Sequence, residues 1–154
     1  MPVRFTVDSN VLVYAADDRD PARQETALEI LALAALRDCV LLPQALAEFF
    51  HAVSRKGLMP RREAAAQVRD WSIMYAVAAG ANIGAVLMAA EAAAAGRFQF
   101  FDALLLTTAR DAGCAAVISG DMADGAELNG VRVVAAFEPD GTISPRATAL
   151  LEGA

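Results

Sequence analysis

The stretch Val3-Arg4-Phe5-Thr6-Val7-Asp8-Ser9-Asn10-Val11-Leu12 decides the fold. Val3 to Val7 is a short apolar run with β-branched residues, the pattern of a buried strand. A lone aspartate stands directly behind it. A carboxylate among apolar neighbours costs several kcal/mol or gives up its charge unless something pairs with it. The same pattern recurs three times: Glu48 in Ala45-Leu46-Ala47-Glu48-Phe49-Phe50, Asp102 in Phe100-Phe101-Asp102-Ala103-Leu104, and Asp121 in Val117-Ile118-Ser119-Gly120-Asp121. Four isolated acids suggest one shared cation. Oxygen-only ligands suit a hard ion such as magnesium or manganese.

Outward from that stretch, strands and helices alternate. Val40-Leu41-Leu42 is a second strand, stopped by Pro43; Ile73 to Val77 is a third, Ala115 to Ser119 a fourth and Val131 to Ala135 a fifth. The first predicted helix starts at Asp20-Pro21, with Asp as N-cap and Pro at the first helical position, and runs toward Arg37. Others run from Pro43 to Lys56, carrying Glu48, from Pro60 to Trp71, from the Asn82 cap to Gly96, and from Phe101 to Asp111. Strands separated by helices need crossover connections, hence a parallel sheet covered on both faces. The expectation is one α/β domain, a three-layer α/β/α sandwich with a mainly parallel four- to five-stranded sheet. It occupies residues 1–138, and residues 139–154 form a short, partly ordered C-terminal extension.

This layout turns the acids into a site. Asp8 and Asp121 fall just past the carboxyl ends of predicted strands, the edge at which open α/β sheets bind ligands. Asp102 opens a helix, and Glu48 lies one turn into the helix after the second strand, near the same edge.

Composition sets the bounds. The 154 residues fit one domain, and 56% of them are hydrophobic, with mean hydropathy +0.39. Part of that apolar surface is expected to meet a partner. The helix at 21–37 agrees, with Leu28, Leu31 and Ala35 on one face and Ile30, Leu33 and Leu36 around the other. A net charge of −6 and a pI near 4.7 exclude a passive nucleic-acid coat. They leave open a nuclease in which metal ions and a local basic patch supply the attraction. Arg55, Lys56, Arg61 and Arg62 place four of the 13 basic residues in one helix–turn–helix corner. That cluster faces RNA or a partner, or else complements a helix C-terminus.

Cys39 and Cys114 follow no metal spacing and read as small core residues of a reducing cytoplasm. The N-terminus lacks a basic region followed by an apolar core, so no secretory signal is expected. The weakly polar run from Tyr75 to Ala90 is too short for a membrane span. A single lysine among many alanines matches the usage of a GC-rich bacterial genome. Trp71, Phe98, Phe100 and Phe101 read as core rather than as stacking platforms for bases.

Asp8-Ser9-Asn10-Val11-Leu12 after the first strand, Glu48 in an early helix, Phe101-Asp102-Ala103, and Ser119-Gly120-Asp121 after a late strand together resemble the PIN-domain ribonucleases. The likeness is strongest to the VapC-like toxins of bacterial toxin–antitoxin pairs and spans roughly residues 3 to 137. It implies a magnesium- or manganese-dependent endoribonuclease, a homodimer and a small inhibitory antitoxin. Asp8, Glu48, Asp102 and Asp121 match the acidic quartet of that family. Ser9 stands where threonine is more usual, and Asn10 and Ser119 match its polar neighbours. Asp124 is either the additional acid of some members or a solvated residue in an Asp124-Gly125 turn.

Hydrolysing a phosphodiester at neutral pH needs a nucleophile made from water and charge stabilisation on the phosphoryl and leaving oxygens, both within reach of a carboxylate-held divalent ion. Asp8 and Asp102 are the expected direct ligands, and Asp121 joins them directly or through a bridging water. Glu48 is a ligand or the base that orients the attacking water. His51, one turn past Glu48, reads as packing or surface rather than as a second base. Two other classes share parts of the pattern. A haloacid-dehalogenase-like phosphatase needs a second aspartate two residues after the first, where this chain has Asn10. A non-catalytic interaction protein on the same fold would usually have lost one of the acids, and none is missing.

Overall fold

The computed structural model of the chain describes residues 2–153. Strand β1 (Phe5–Val7) pairs in parallel with β4 (Ala116–Ser119), which pairs in parallel with β6 (Val131–Ala135). The short β5 (Glu127–Leu128) closes that side antiparallel to β6, giving the order β1-β4-β6-β5. On the other side a parallel pair, β2 (Val40–Leu41) and β3 (Ala76–Val77), reaches β1 through a bridge between Phe5 and Cys39. The chain leaves β1 toward β2 on one side and returns to β4 on the other. The strand order therefore reverses between β1 and β4, the place where an α/β sheet opens a ligand crevice. The architecture is mixed α/β with a mainly parallel sheet, as expected.

Seven helices cover it among the described residues: α1 (Ser9–Ala15), α2 (Pro21–Ala34), α3 (Pro43–Arg55), α4 (Arg61–Met74), α5 (Ile83–Ala94), α6 (Phe100–Asp111) and α7 (Pro145–Leu151). Local chemistry fixes several starts. Asp20 accepts from the Arg23 N–H ahead of Pro21, and Asn82 accepts from the Ala85 N–H. Helix α6 is the central one, with every residue from Ala103 to Ala109 buried. Helix α3 buries Ala45, Leu46, Phe49 and Val53, and Phe49 packs edge-on against Trp71 with ring centroids 4.7 Å apart. Helix α2 buries Ala27, Ile30, Leu31 and Ala34 while Leu28 and Leu33 stay exposed, as does Leu36 just past its end, so its second apolar face is real.

Four features depart from the sequence reading. Helix α1 follows Asp8 directly, where only the site residues were read. Its signal was Asp8 as a cap ahead of Val11, Leu12 and Ala15, the residues it buries. The third strand shrinks to Ala76–Val77 because Ile73 and Met74 continue α4, and both are exposed. Strand β5 arises from Asn129-Gly130, both at positive φ, the dipeptide that builds a tight hairpin. Phe101, read as core, is 62% exposed, whereas Trp71 is buried.

The segment after Pro139 is also better ordered than expected. Ser144 caps α7 by accepting from the Ala147 N–H and donating to the Ala135 carbonyl, and Ala147 and Leu151 enter the core. Ser144→Ala should cost about 1–2 kcal/mol. Denaturant melts of the full chain check this, and a neutral result would mean that α7 adds nothing to the fold.

Candidate metal centre

Asp8 is placed by β1 and locked by the turn into α1. Its Oδ1 accepts from the Ser9 N–H at 2.7 Å, and its Oδ2 accepts from Ser119 Oγ at 2.9 Å and from Asn10 Nδ2 at 3.2 Å. Asn10 is itself pinned, since its Oδ1 accepts from the Gly120 N–H at 2.7 Å. The β1–α1 turn and the end of β4 are thus laced together by side chains. Ser119 Oγ also lies 3.2 Å from Asp121 Oδ1 and accepts from the Met122 N–H at 3.1 Å. One hydroxyl proton serves two carboxylates there, so whichever acid loses it is left with less compensation.

Glu48 and Asp102 reach the same region from α3 and α6. Gln44, one turn before Glu48, donates to the Phe101 carbonyl at 2.9 Å and lies 3.5 Å from Glu48 Oε1, tying α3 to the start of α6. Asp102 sits in the first turn of α6, where a negative charge favours the helix dipole. The structure therefore brings all four sequence-predicted acids to one edge of the sheet.

Their electrostatics show mutual strain. Burial, with Asp8 only 5% exposed, pushes its carboxyl up to about 6, and repulsion from Asp121 and Asp102 adds to the rise. Burial raises Glu48 as well, with Asp102 and Asp121 contributing. Asp102 is raised by burial and then by Asp121. None of the four joins any of the five ion pairs found among the described residues. Repulsion without a protein cation is the condition under which a metal ion stabilises a site most.

The donor chemistry fits a hard divalent ion. The set is not closed in advance, because no group of three His, Cys, Asp or Glu side chains among the described residues is already gathered as metal ligands. Closing it requires side-chain rotation, which Glu48, Asp102 and Asp121, all at least partly exposed, can make. Asp8, held by three hydrogen bonds, is the fixed point.

The other candidates fall into place around this edge. Asp124 does not take part: its Oδ1 accepts from the Ala135 N–H, its Oδ2 pairs with Arg146 at 3.0 Å, and these bonds hold its carboxyl below the usual range. His51, Arg61 and Arg62 are exposed on α3 and α4 and line neither cleft beside the acids. Lys56 does line one. Arg19, Tyr14 and Arg97, which the sequence reading passed over, also line these clefts. For Arg19 and Arg97 the only sequence signal was a basic residue a few positions from a site element, too common to single them out, and Tyr14 carried none.

Gly120 carries a testable constraint. A methyl group there would meet the Phe137 ring at 2.9 Å and Asn10 Oδ1 at 3.1 Å. Gly120→Ala should therefore push Asn10 off Asp8 and weaken metal binding about tenfold or more, as losses around metal ligands do. Calorimetric titration with magnesium checks it; unchanged affinity would mean that Asn10 does not position Asp8.

The PIN-domain model matches residues 5–123, most of the chain, and this protein belongs to the PIN-domain family. No curated protein sequence matches it. Among solved structures, it is similar to VapC20 of Mycobacterium tuberculosis, described as a sarcin–ricin-loop-cleaving toxin. That match has 17% identity, covers 73% of this chain and 86% of that one, and has a TM-score of 0.58. It is also similar to VapBC2 of Rickettsia felis bound to a promoter DNA fragment, at 11% identity and TM-score 0.62. DNA-bound VapBC of Salmonella typhimurium matches at 16% identity and TM-score 0.61. Each of these two matches covers 86% of this chain and 98% of the other. At such identities the likeness is one of fold.

Proposed function

We propose that this protein is a metal-dependent endoribonuclease and the toxin of a toxin–antitoxin pair. The observation that carries the reading is the gathering of Asp8, Glu48, Asp102 and Asp121 at one sheet edge with no ion-pair partner among the described residues. Burial first and neighbouring carboxylates second raise Asp8, Glu48 and Asp102 there. Membership of the PIN-domain family and the likeness to VapC chains support it.

Asp8, Asp102 and Asp121 would hold magnesium or manganese, which would supply a lowered water pKa and positive charge against the phosphoryl oxygens. Glu48, on the rim and with its pKa raised by burial, either completes the ligand set or takes the proton of the attacking water. Ser119 steadies Asp8 and Asp121 together. Attack by water leaves a 5′-phosphate and a 3′-hydroxyl, and the ribose 2′-hydroxyl serves recognition only. Incubating the purified chain with RNA tests this: cleavage should need added magnesium or manganese. A 2′,3′-cyclic phosphate among the products, or full cleavage in excess chelator, would overturn the mechanism.

The same reading includes a homodimer and a small antitoxin. Its support is the apolar surface left in water: Leu28 and Leu33 on α2 and Leu36 just past its end, Ile73 and Met74 at the end of α4, and Ile83 and Leu87 on α5. Light scattering should find a dimer at micromolar concentration, and a monomer throughout would remove that part of the proposal. Co-purification with the product of an adjacent gene tests the antitoxin. Among the described residues no helix is long and apolar enough to cross a membrane.

A further inference from the structure

Two clefts meet at Asp121. The first, about 420 Å³, is lined by Asn10, Tyr14, Arg19 and Lys56 together with Asp121. The second, about 400 Å³, is lined by Arg97, Gln99 and Asp102 together with Asp121. Each has the size of a small-ligand site, and Asp121 is common to both. We propose that a single RNA strand runs through both clefts across the carboxylates, its phosphates held by Arg19 and Lys56 on one side and by Arg97 on the other.

What sets the three cations apart is their place in the clefts, since Arg55, Arg61, Arg62 and Arg69 also join no ion pair among the described residues. Arg4, Arg23, Arg132 and Arg146 are spent on ion pairs with exposed or half-buried acids. Lys56, at the C-cap of α3, is in no ion pair among the described residues. Arg97 donates to the Glu127 carbonyl at 3.4 Å and joins no ion pair among the described residues. Arg19 is paired, but in an unusual way. Asp17, only 8% exposed, accepts from Arg19 Nε at 2.8 Å, from Nη2 at 2.9 Å and from the Arg19 N–H at 3.1 Å. The guanidinium itself stays largely exposed, with 61% of the side chain in contact with solvent. One edge of the fork is bolted to a buried carboxylate through Nε and Nη2, and the residue lines the cleft. An ion pair so exposed on one side contributes little to stability. Orienting a planar fork toward a phosphate is what such a clamp does well.

The geometry also fits the nature of the cut. A pocket closed on one side of the acids would take a chain end. Two clefts that meet at one carboxylate take a chain that continues past it, so the scissile phosphate is internal. A protein of net charge −6 gains its hold on RNA only where cations stand beside the metal site. Three cations in the path place that hold next to the reacting bond.

The inference rests on the nuclease reading, and the experiment separates the two. A fluorescently quenched, unstructured oligoribonucleotide of mixed sequence is cleaved by the full chain in magnesium over a series of salt concentrations. Arg19→Ala, Lys56→Ala and Arg97→Ala should each raise KM several-fold while kcat stays within about twofold. Each should flatten the dependence of log kcat/KM on log salt by about 0.7, the share of one phosphate contact on a single strand. Arg19→Lys and Lys56→Arg should restore the slope, and Arg61→Ala with Arg62→Ala, outside both clefts, should leave it unchanged. A circularised form of the same RNA should be cut as well. Unchanged slopes in all three alanine variants, losses confined to kcat, or a circle left intact while the linear RNA is degraded would overturn the path and leave the nuclease standing. No magnesium-dependent cleavage by the parent chain would overturn both.

Discussion

Asp8→Asn is expected to lose RNA cleavage by about a hundredfold or more and yet, free of metal, to melt higher than the parent chain. The two effects share one cause. The Asp8 carboxyl is raised from 3.8 to about 6, a rise of roughly two units at about 1.4 kcal/mol each. Ionised Asp8 therefore costs the metal-free fold about 3 kcal/mol. Because the folded pKa lies above the unfolded one, the folded state binds this proton more tightly. Its contribution to stability is fully present below pH 3.8 and is lost as pH rises through about 6. The neutral amide removes that loss. It recovers only part of the difference, because the nitrogen that replaces one oxygen cannot accept from Asn10. A gain of about 1–2 kcal/mol remains, worth roughly 2–4 °C per kcal/mol for a chain of this size. Melts of both proteins from pH 4 to pH 8 in chelator test this. The parent curve should fall between pH 4 and 6 more steeply than that of the variant. An Asp8→Asn protein that is inactive and also less stable at every pH would mean that Asp8 is a structural cap and no more.

Removing the metal should abolish cleavage outright, and adding it should stabilise the fold. At about a hundred times the dissociation constant, a ligand that binds only the folded state adds roughly 2.7 kcal/mol. That increment should shrink below about pH 6, because Asp8 has to lose its proton to serve as a ligand. Asp102→Asn and Asp121→Asn should each lose most activity, and a double variant little more, since groups that hold one ion act as a unit. Glu48→Gln separates its two roles: a ligand weakens metal binding, whereas a base lowers kcat with metal binding intact. Melting temperatures that ignore magnesium at pH 8 would contradict this account.

Much of the fold was legible because alternating strands and helices dictate a parallel sheet. Short apolar runs at Phe5–Val7, Val40–Leu41, Ala116–Ser119 and Val131–Ala135, separated by capped helices, leave little choice but a parallel sheet. Where the reading slipped, local and tertiary signals competed. Ile73 and Met74 are good strand formers on paper, but α4 was already running and no buried face awaited them, so the helix continued. Phe101 looked like core because it is aromatic, yet the register of α6 that buries Ala103 to Ala109 turns it outward. Helix α7 escaped notice because it is only seven residues long and its burial comes from partners far along the chain, such as Arg37, which donates to the Leu151 carbonyl.

The acids were legible for a different reason. A lone carboxylate behind an apolar strand is a conflict between burial and charge, and such conflicts concentrate at sites that do chemistry. The supporting residues carry no such conflict. Asn10 and Ser119 could be matched only through resemblance, and Arg19, Lys56 and Arg97 take on meaning only once the clefts beside Asp121 are seen. The basic corner read from spacing alone, Arg55 to Arg62, contributes just Lys56 to those clefts.

The central claim is that four carboxylates from β1, α3, α6 and the end of β4 share one cation. Calorimetric titration of magnesium and of manganese into the full chain, Asp8→Asn and Asp102→Asn tests it most directly. The account predicts measurable binding to the parent chain and an affinity about tenfold or more weaker in each variant, although the two residues lie on different elements. Equal affinity in all three proteins would contradict it.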